Sequence, residues 1–102
     1  MSEPTREEID RLSGPVVLEF GAHWCPHCQV IQPFFSGMRA KYPEVQHIRI
    51  EDGSGRPLGR SFRVKLWPTL VFMRDGEIVS QIVRPTSQEI AKSFAELVAP
   101  RD

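Results

Sequence analysis

The sequence has few cysteines, lacks long apolar runs and carries no excess of either charge. Its 13 lysines and arginines balance 13 aspartates and glutamates, which argues against a bulk electrostatic role with nucleic acid or an anionic membrane. No apolar run approaches the roughly 18 residues that span a bilayer. Two cysteines cannot form the disulfide framework of a small secreted domain. Because the N-terminal segment shows no basic stretch followed by an apolar run, we expect a cytoplasmic protein. We also expect a monomer.

The length predicts one domain over residues 1–102, large enough to bury a core without a metal or disulfide staple. Capping boxes predict a short helix after Thr5 and a final helix from Thr86 to about residue 98. A long helix is predicted over residues 25–41. Strands are predicted over residues 15–22, 45–50, 67–73 and 77–83, with a loop over residues 51–59, a helical turn over residues 60–64 and a tight hairpin at Asp75-Gly76. A right-handed crossover followed by a hairpin predicts an α/β fold whose mixed four-stranded sheet has helices on both faces.

The long helix is predicted to pack through one apolar stripe. Ile31, Phe34, Phe35 and Met38 recur at helical spacing and are expected to be buried, and Pro33 is expected to kink the helix. After the second strand, a short basic segment contains four cations. Its simplest interpretation is a solvated surface rather than a binding patch. These four are Arg56, Arg60, Arg63 and Lys65.

The stretch HWCPHCQ, residues 23–29, contains both cysteines. Cys25 stands where a helix begins, and the free N–H groups and dipole of a helix N-terminus favour a thiolate there. Cys28 lies one helical turn further, so that its sulfur can reach Cys25; we expect Cys25 to be the exposed thiol and Cys28 the buried one. Pro26 fits the first turn, where a missing N–H costs little. His27, when protonated, would stabilise the thiolate and make the disulfide a better oxidant; the alternative is a solvated side chain.

The chain resembles the thioredoxin superfamily over nearly its whole length, and the residues around the two cysteines carry part of that resemblance. The stretch VVLEFGAHWCPHC is similar to the family's strand followed by WCxxC, and Pro33 falls at the family's helix-kinking proline. Trp67-Pro68-Thr69 is similar to the strand start that carries a cis-proline. The resemblance implies a thioredoxin-like fold and a thiol–disulfide oxidoreductase. Such an enzyme acts on protein disulfides, uses a redox partner protein and needs no cofactor.

The resemblance also implies a substrate-binding surface beside the dithiol. A cis Pro68 would present the Trp67 backbone to a substrate strand, with Trp24 and Thr69 next to it. An alternative function uses the same surface, because the two tryptophans could flank an apolar groove in a binding or chaperone module for protein assembly. A Cys25→Ser variant would separate the two functions, since only the oxidoreductase needs the thiol.

Glu19 lies six residues before Cys25, where thioredoxins carry a buried acid, usually aspartate. A carboxyl in an apolar strand should have a raised pKa and could accept the Cys28 proton during resolution of a mixed disulfide. The alternative is a solvated side chain on the other side of the strand. The sequence also departs from the family: Gly21 stands where thioredoxins usually have tryptophan, and Arg84 where they have glycine. The stretch before the motif is also too short for the family's usual first edge strand and helix, so we expect four strands rather than five.

A metal module is the third candidate function. It would use Cys25, Cys28 and two of the histidines His23, His27 and His47. Structural zinc needs a second, separated ligand pair, and only His47 is distant in sequence, so this function is disfavoured and no metal ligand is assigned. The metal content of the purified protein would decide between a metal module and a redox dithiol.

Overall fold

The computed structural model describes residues 3–100. Its strands are β1 (Pro15–Gly21), β2 (Gln46–Glu51), β3 (Thr69–Arg74) and β4 (Glu77–Val83). Its helices are α1 (Arg6–Asp10), α2 (Pro26–Lys41), α3 (Pro57–Ser61) and α4 (Ser87–Val98). The strands form one sheet in the order β2-β1-β3-β4, in which β1 pairs parallel with β2 and the other two pairs are antiparallel. The mixed four-stranded sheet predicted from the sequence is therefore confirmed.

Both faces of the sheet are covered, because β1 lies between two neighbours and buries side chains on each side. On one face α2 and α4 enclose a core of Val17, Ile31, Phe35, Met38, Val45, Leu70, Phe72, Ile90, Phe94 and Leu97. On the other face α1 and α3 enclose Ile9, Val16, Leu18, Phe20, Ile50, Leu58, Phe62, Val71 and Met73. No helix within residues 3–100 is long and apolar enough to cross a membrane.

The local sequence signals place most element boundaries correctly. Thr5 and Thr86 form complete capping boxes, in which each hydroxyl accepts a backbone N–H and a glutamate returns to the cap residue. Asp75 and Gly76 form the tight turn between β3 and β4 with φ values of 52° and 83°. The helical turn predicted over residues 60–64 is α3, which begins earlier, inside the predicted loop. Pro57 stands at the first turn of α3, where its fixed φ favours helical backbone.

The buried stripe of α2 differs from the predicted one at a single position. Ile31, Phe35 and Met38 are buried as expected, whereas Phe34 is 37% exposed, so the prediction for Phe34 is wrong. Cys28 takes the fourth buried position, because it lies on the same helix face one turn before Ile31. The apolar stripe of α2 thus leads directly to the dithiol.

Candidate active site

Cys25 is the N-cap residue of α2, immediately after the loop that follows β1. Its sulfur accepts a hydrogen bond from the Cys28 backbone N–H, with a nitrogen–sulfur distance of 3.3 Å. Pro26 occupies the first helical turn, as predicted. Both thiols are free, and both are nearly inaccessible, since Cys25 is 5% and Cys28 is 1% exposed. The expectation of an exposed Cys25 is wrong in degree: Ala22 and Trp67 pack around the pair, although Cys25 remains the more accessible thiol.

Cys28 is held as a neutral thiol. Burial, followed by the hydrogen bond with Cys25 and the negative charges of Cys25 and Glu19, raises the pKa of Cys28 to about 12, against a smaller opposing contribution from the Ala22 backbone. Gly21 in β1 leaves room for this sulfur, because a Cβ built at Gly21 would lie 2.6 Å from Cys28 Sγ. A larger residue at position 21 would therefore force Cys28 to move.

Glu19 lies beneath the dithiol, is only 1% exposed and belongs to a polar cluster. His47 Nε2 lies 3.0 Å from Glu19 Oε1, and Gln32 donates its side-chain N–H to Oε2. The same Gln32 nitrogen is 3.1 Å from the Cys28 carbonyl oxygen, so it connects the cluster to α2. Phe35 meets the His47 ring edge to face, with ring centroids 5.0 Å apart.

The predicted raised pKa of Glu19 is wrong. Burial does act to raise it, but the hydrogen bonds from His47 and Gln32, together with the positive charges of His47 and Arg49, outweigh burial and lower the pKa of Glu19. Glu19 is therefore neither solvated nor a neutral buried acid. It is an ionised carboxylate held inside the fold by a histidine.

Two tryptophans stand beside the thiols. Trp24 is 62% exposed and meets Trp67 edge to face with ring centroids 5.4 Å apart. Trp67 packs against the dithiol, and its indole N–H donates to Asp52 Oδ2 at 2.9 Å. Asp52 is itself tied to the end of β1, since its backbone N–H donates to the Gly21 carbonyl at 2.7 Å. Asp52 thus fixes the position of the Trp67 ring, against which the exposed Trp24 packs.

The Trp67–Pro68 peptide bond is cis, and the side chains of Arg84 and Thr69 make hydrogen bonds around it. Arg84, at φ 45°, donates its Nε–H to the Trp67 carbonyl at 2.9 Å and its backbone N–H to the Pro68 carbonyl at 2.8 Å. Thr69 is fully buried and donates its hydroxyl to the Leu66 carbonyl at 2.7 Å. Its side chain therefore holds the turn that leads into β3, and the predicted role of Thr69 in substrate binding stays a prediction.

The comparisons with known proteins agree with this geometry. The family Thioredoxin matches residues 2–96 of the chain. The chain belongs to the thioredoxin family. Thioredoxin 2 from Pseudomonas aeruginosa PAO1, solved in its reduced form, superposes with a TM-score of 0.83 at 52% identity and covers 94% of this chain and 90% of that one. Members of the thioredoxin family are thiol–disulfide oxidoreductases.

Plant thioredoxins are among the sequence relatives. Thioredoxin H5 of Arabidopsis thaliana is 35% identical over 75 residues, which is 74% of this chain and 64% of the relative. Thioredoxin H5 of Oryza sativa subsp. japonica is 28% identical over 97 residues, which is 95% of this chain and 72% of the relative. This chain thus spans somewhat under two thirds of the length of the Arabidopsis relative.

The three histidines of this chain have separate surroundings. His23 lies at the surface, where its Nδ1 is 3.1 Å from Glu51 Oε1, and His47 contacts Glu19. His27 is exposed on the first turn of α2 and shares a small depression with Arg84. Within residues 3–100 no three His, Cys, Asp or Glu side chains gather into a metal-binding group.

Sequence reasoning missed three residues that hold the site. The sequence suggests a role for His47 only as a metal ligand and indicates none for Gln32 or Asp52. Gln32 follows Cys28 by four residues and so lies on the same helix face, a signal that was present in the sequence. The contact between Trp67 and Asp52 depends on how the loop after β2 packs against the segment before β3, and no local sequence pattern predicts it.

Proposed function

We propose that this chain exchanges electrons with protein disulfides through Cys25 and Cys28. The observation that carries the proposal is the asymmetry of the pair. Cys25 Sγ accepts a hydrogen bond from a backbone N–H at the start of α2, whereas the pKa of Cys28 is raised to about 12. A sulfur at a helix N-terminus is favoured as a thiolate, which is the nucleophile in disulfide exchange. Cys28 stays protonated until the second step of the exchange.

The reduction of a substrate then proceeds in two balanced steps. The Cys25 thiolate attacks one sulfur of the substrate disulfide; the substrate S–S bond breaks, and its second sulfur leaves as a thiolate that takes up a proton. Cys28 next loses its proton and attacks Cys25 Sγ in the mixed disulfide, which releases the second substrate thiol. Two electrons have passed to the substrate, and the chain is left with a Cys25–Cys28 disulfide that a redox partner protein must reduce.

Glu19 is proposed to accept the Cys28 proton. Its lowered pKa keeps it deprotonated at neutral pH, and Gln32 bridges its carboxylate and the Cys28 carbonyl. A lowered pKa makes Glu19 a weak base, so we expect it to hold the proton only briefly. Glu19→Gln should slow release of the substrate from a mixed disulfide without slowing the first attack by Cys25.

Substrate is proposed to bind over Trp24, Trp67 and Pro68. Trp24 offers a largely exposed aromatic face beside the sulfurs, and aromatic side chains are enriched where proteins bind one another. A Cys28→Ser variant should accumulate mixed disulfides with partner proteins, which non-reducing gels and mass spectrometry would reveal. Cys25→Ser is the matched control and should trap far less, and equal trapping by both variants would overturn the assigned roles.

Pro26 and His27 are proposed to tune the reduction potential. A cation near Cys25 stabilises the thiolate, which exists only in the reduced state, and about 30 mV corresponds to one pKa unit in a two-electron couple. Replacing Pro26 with Gly and His27 with Pro should therefore lower the potential by tens of millivolts, measured against a glutathione redox buffer. A potential that stays unchanged or rises would remove His27 as the tuning residue.

A binding or chaperone role is the second candidate. It is favoured by exposed apolar side chains around the site: Trp24 is 62%, Leu66 is 49% and Val30 is 78% exposed. Cys25→Ser would retain this activity and lose oxidoreduction, so suppression of client aggregation by the variant tests it. The cytoplasmic location and the monomeric state expected from the sequence remain predictions.

A further inference from the structure

A basic groove lies next to the active site. It has a volume of about 570 Å³ and is bounded by the loop after β2, by α3 and by the segment that leads to β3. Its wall carries four cations and a single carboxylate, that of Asp52. The cations are Arg56, Arg60, Arg63 and Lys65, all of them exposed. Because the whole chain has no net formal charge, the remainder carries the compensating negative charge.

The groove is joined to the dithiol through Asp52. The Asp52 carboxylate in the groove wall accepts the Trp67 indole N–H, and Trp67 packs against Cys25 and Cys28. The Asp52 backbone N–H also donates to the carbonyl of Gly21, the residue beneath Cys28 Sγ. Trp67 therefore contacts both the dithiol and a wall residue of the groove, and we expect a polypeptide whose disulfide lies over Cys25 to reach the groove past Trp67.

The four cations are free to meet charge from outside the molecule. No side-chain hydrogen bond or ion pair ties any of them to another residue between positions 3 and 100. Asp52 directs its charge toward Trp67 rather than toward a groove cation. The cations come from before, within and after α3, and all of them line this one groove of about 570 Å³. A groove of that volume is larger than a single small anion fills and has room for several residues of an acidic segment.

We propose that this groove, named here the basic groove, binds acidic segments that flank the target disulfide of a partner protein. The proposal deepens the proposed function and rests on it. Exposed charges at the rim of an interface act mainly on the association rate and are weakened by salt, because the screening length is only about 8 Å at 0.15 M ionic strength. The expected signature is therefore a salt-dependent preference for acidic substrates in the second-order rate constant.

The test uses three synthetic peptides that share one internal disulfide and differ only in the four residues after it, which are all glutamate, all glutamine or all lysine. Reduction by the pre-reduced protein is measured at low and at high ionic strength. We expect the glutamate peptide to react roughly tenfold faster than the lysine peptide at low salt, with the glutamine peptide between them and the difference small at high salt.

Two charge-reversed variants locate the effect. Arg60→Glu with Lys65→Glu should abolish or invert the preference; Arg63 is left alone because its φ of 58° makes a substitution there a backbone test as well. Arg39→Glu with Lys92→Glu changes the net charge equally at exposed positions outside the groove and should leave the preference unchanged. Arg60→Gln with Lys65→Gln, expected to reduce the preference, serves if the charge-reversed pair misfolds.

The possible outcomes separate this proposal from the proposed function. Equal rates for the three peptides, or a preference that survives the groove variants, would overturn the acidic-segment proposal while leaving disulfide exchange intact. A preference lost equally in the Arg39/Lys92 control would also overturn it, because net charge alone would then explain the result. If none of the peptides is reduced, the proposed function itself fails.

Discussion

Replacing His47 with leucine should destabilise the fold in a pH-dependent way. Leucine is close to histidine in size and keeps an apolar contact with Phe35, but it removes the group that lies 3.0 Å from Glu19 Oε1. Glu19 is then a carboxylate at 1% exposure with Gln32 as its remaining hydrogen-bond donor. Removing the hydrogen-bond partner of a buried polar group typically costs about 1–3 kcal/mol, and more when that group is charged.

The magnitude is limited by proton uptake, since the stranded carboxylate can escape by becoming neutral. Protonation in the folded state costs about 1.4 kcal/mol per pH unit above the ordinary pKa of 4.5, hence about 3 kcal/mol at pH 7 and under about 1 kcal/mol at pH 5. In the parent protein the pKa of Glu19 is lowered, so the pair adds stability above pH 4.5 that is lost as the pH falls through the folded-state value. The penalty of the His47→Leu variant should therefore shrink on acidification.

The assay is urea unfolding followed by circular dichroism at pH 7 and at pH 5, with the midpoint and slope fitted separately. His23→Leu is the matched control, because it removes a histidine–glutamate pair of 3.1 Å whose side chains are 83% and 41% exposed. Such a surface pair contributes about 0–1 kcal/mol, so the control should change little at either pH. The double variant His47→Leu with Glu19→Leu should recover most of the lost stability, since no charge is then buried.

A loss below about 1 kcal/mol at pH 7 for His47→Leu would refute the reasoning, because that is the range of a surface pair. The same conclusion would follow from a penalty that is equal at pH 7 and pH 5. Failure of the double variant to recover stability would instead show that packing around His47, rather than the charge on Glu19, carries the effect.

Three further predictions concern the sulfurs. Iodoacetamide should label Cys25 before Cys28, because Cys28 is 1% exposed and its pKa is raised to about 12; peptide mass spectrometry showing Cys28 labelled first would contradict this. That raised pKa stabilises the reduced protein below pH 9, and the stability should fall by up to about 1.4 kcal/mol per pH unit between pH 9 and 12, a slope that Cys28→Ala should lack in parallel unfolding titrations. Gly21→Ala should destabilise by about 1–3 kcal/mol through overpacking, whereas Gly37→Ala, with nothing within 4 Å of its added Cβ, should be neutral or stabilising; equal effects on the unfolding midpoint would contradict the close approach at Gly21.

The elements that local physics determines could be predicted from the sequence. Thr5 and Thr86 cap their helices through residues three positions away, and Asp75-Gly76 closes a hairpin without help from elsewhere. The position of Cys25 at a helix start follows from the apolar strand before it and the helical spacing after it. The prediction that Phe34 is buried was wrong because the three- and four-residue spacings are compatible with burial of both Phe34 and Phe35. Only the packing of α2 on the sheet determines which of the two is buried.

The polar cluster could not be predicted, because it depends on strand register. The parallel pairing of β1 with β2 sets Glu19 opposite Arg49 and Val17 opposite His47. The diagonal neighbours Glu19 and His47 then share one face of the sheet, although 28 residues separate them in the sequence. A prediction made from β1 alone contains the burial of Glu19 but not its partner. It therefore reverses the direction of the pKa shift.

The charges around Cys28 determine at which step of disulfide exchange it loses its proton. In the reduced protein, Cys28 keeps its proton because burial, the hydrogen bond and charge of Cys25, and the charge of Glu19 all act on it. Once Cys25 enters a mixed disulfide, its negative charge and its hydrogen bond to Cys28 are gone, and two of those causes disappear together. We therefore expect the pKa of Cys28 to fall at this step, where its thiolate is needed, although burial and the charge of Glu19 remain. Because the contacts with His47 and Gln32 lower the pKa of Glu19, its carboxylate would be available as the proposed acceptor for that proton.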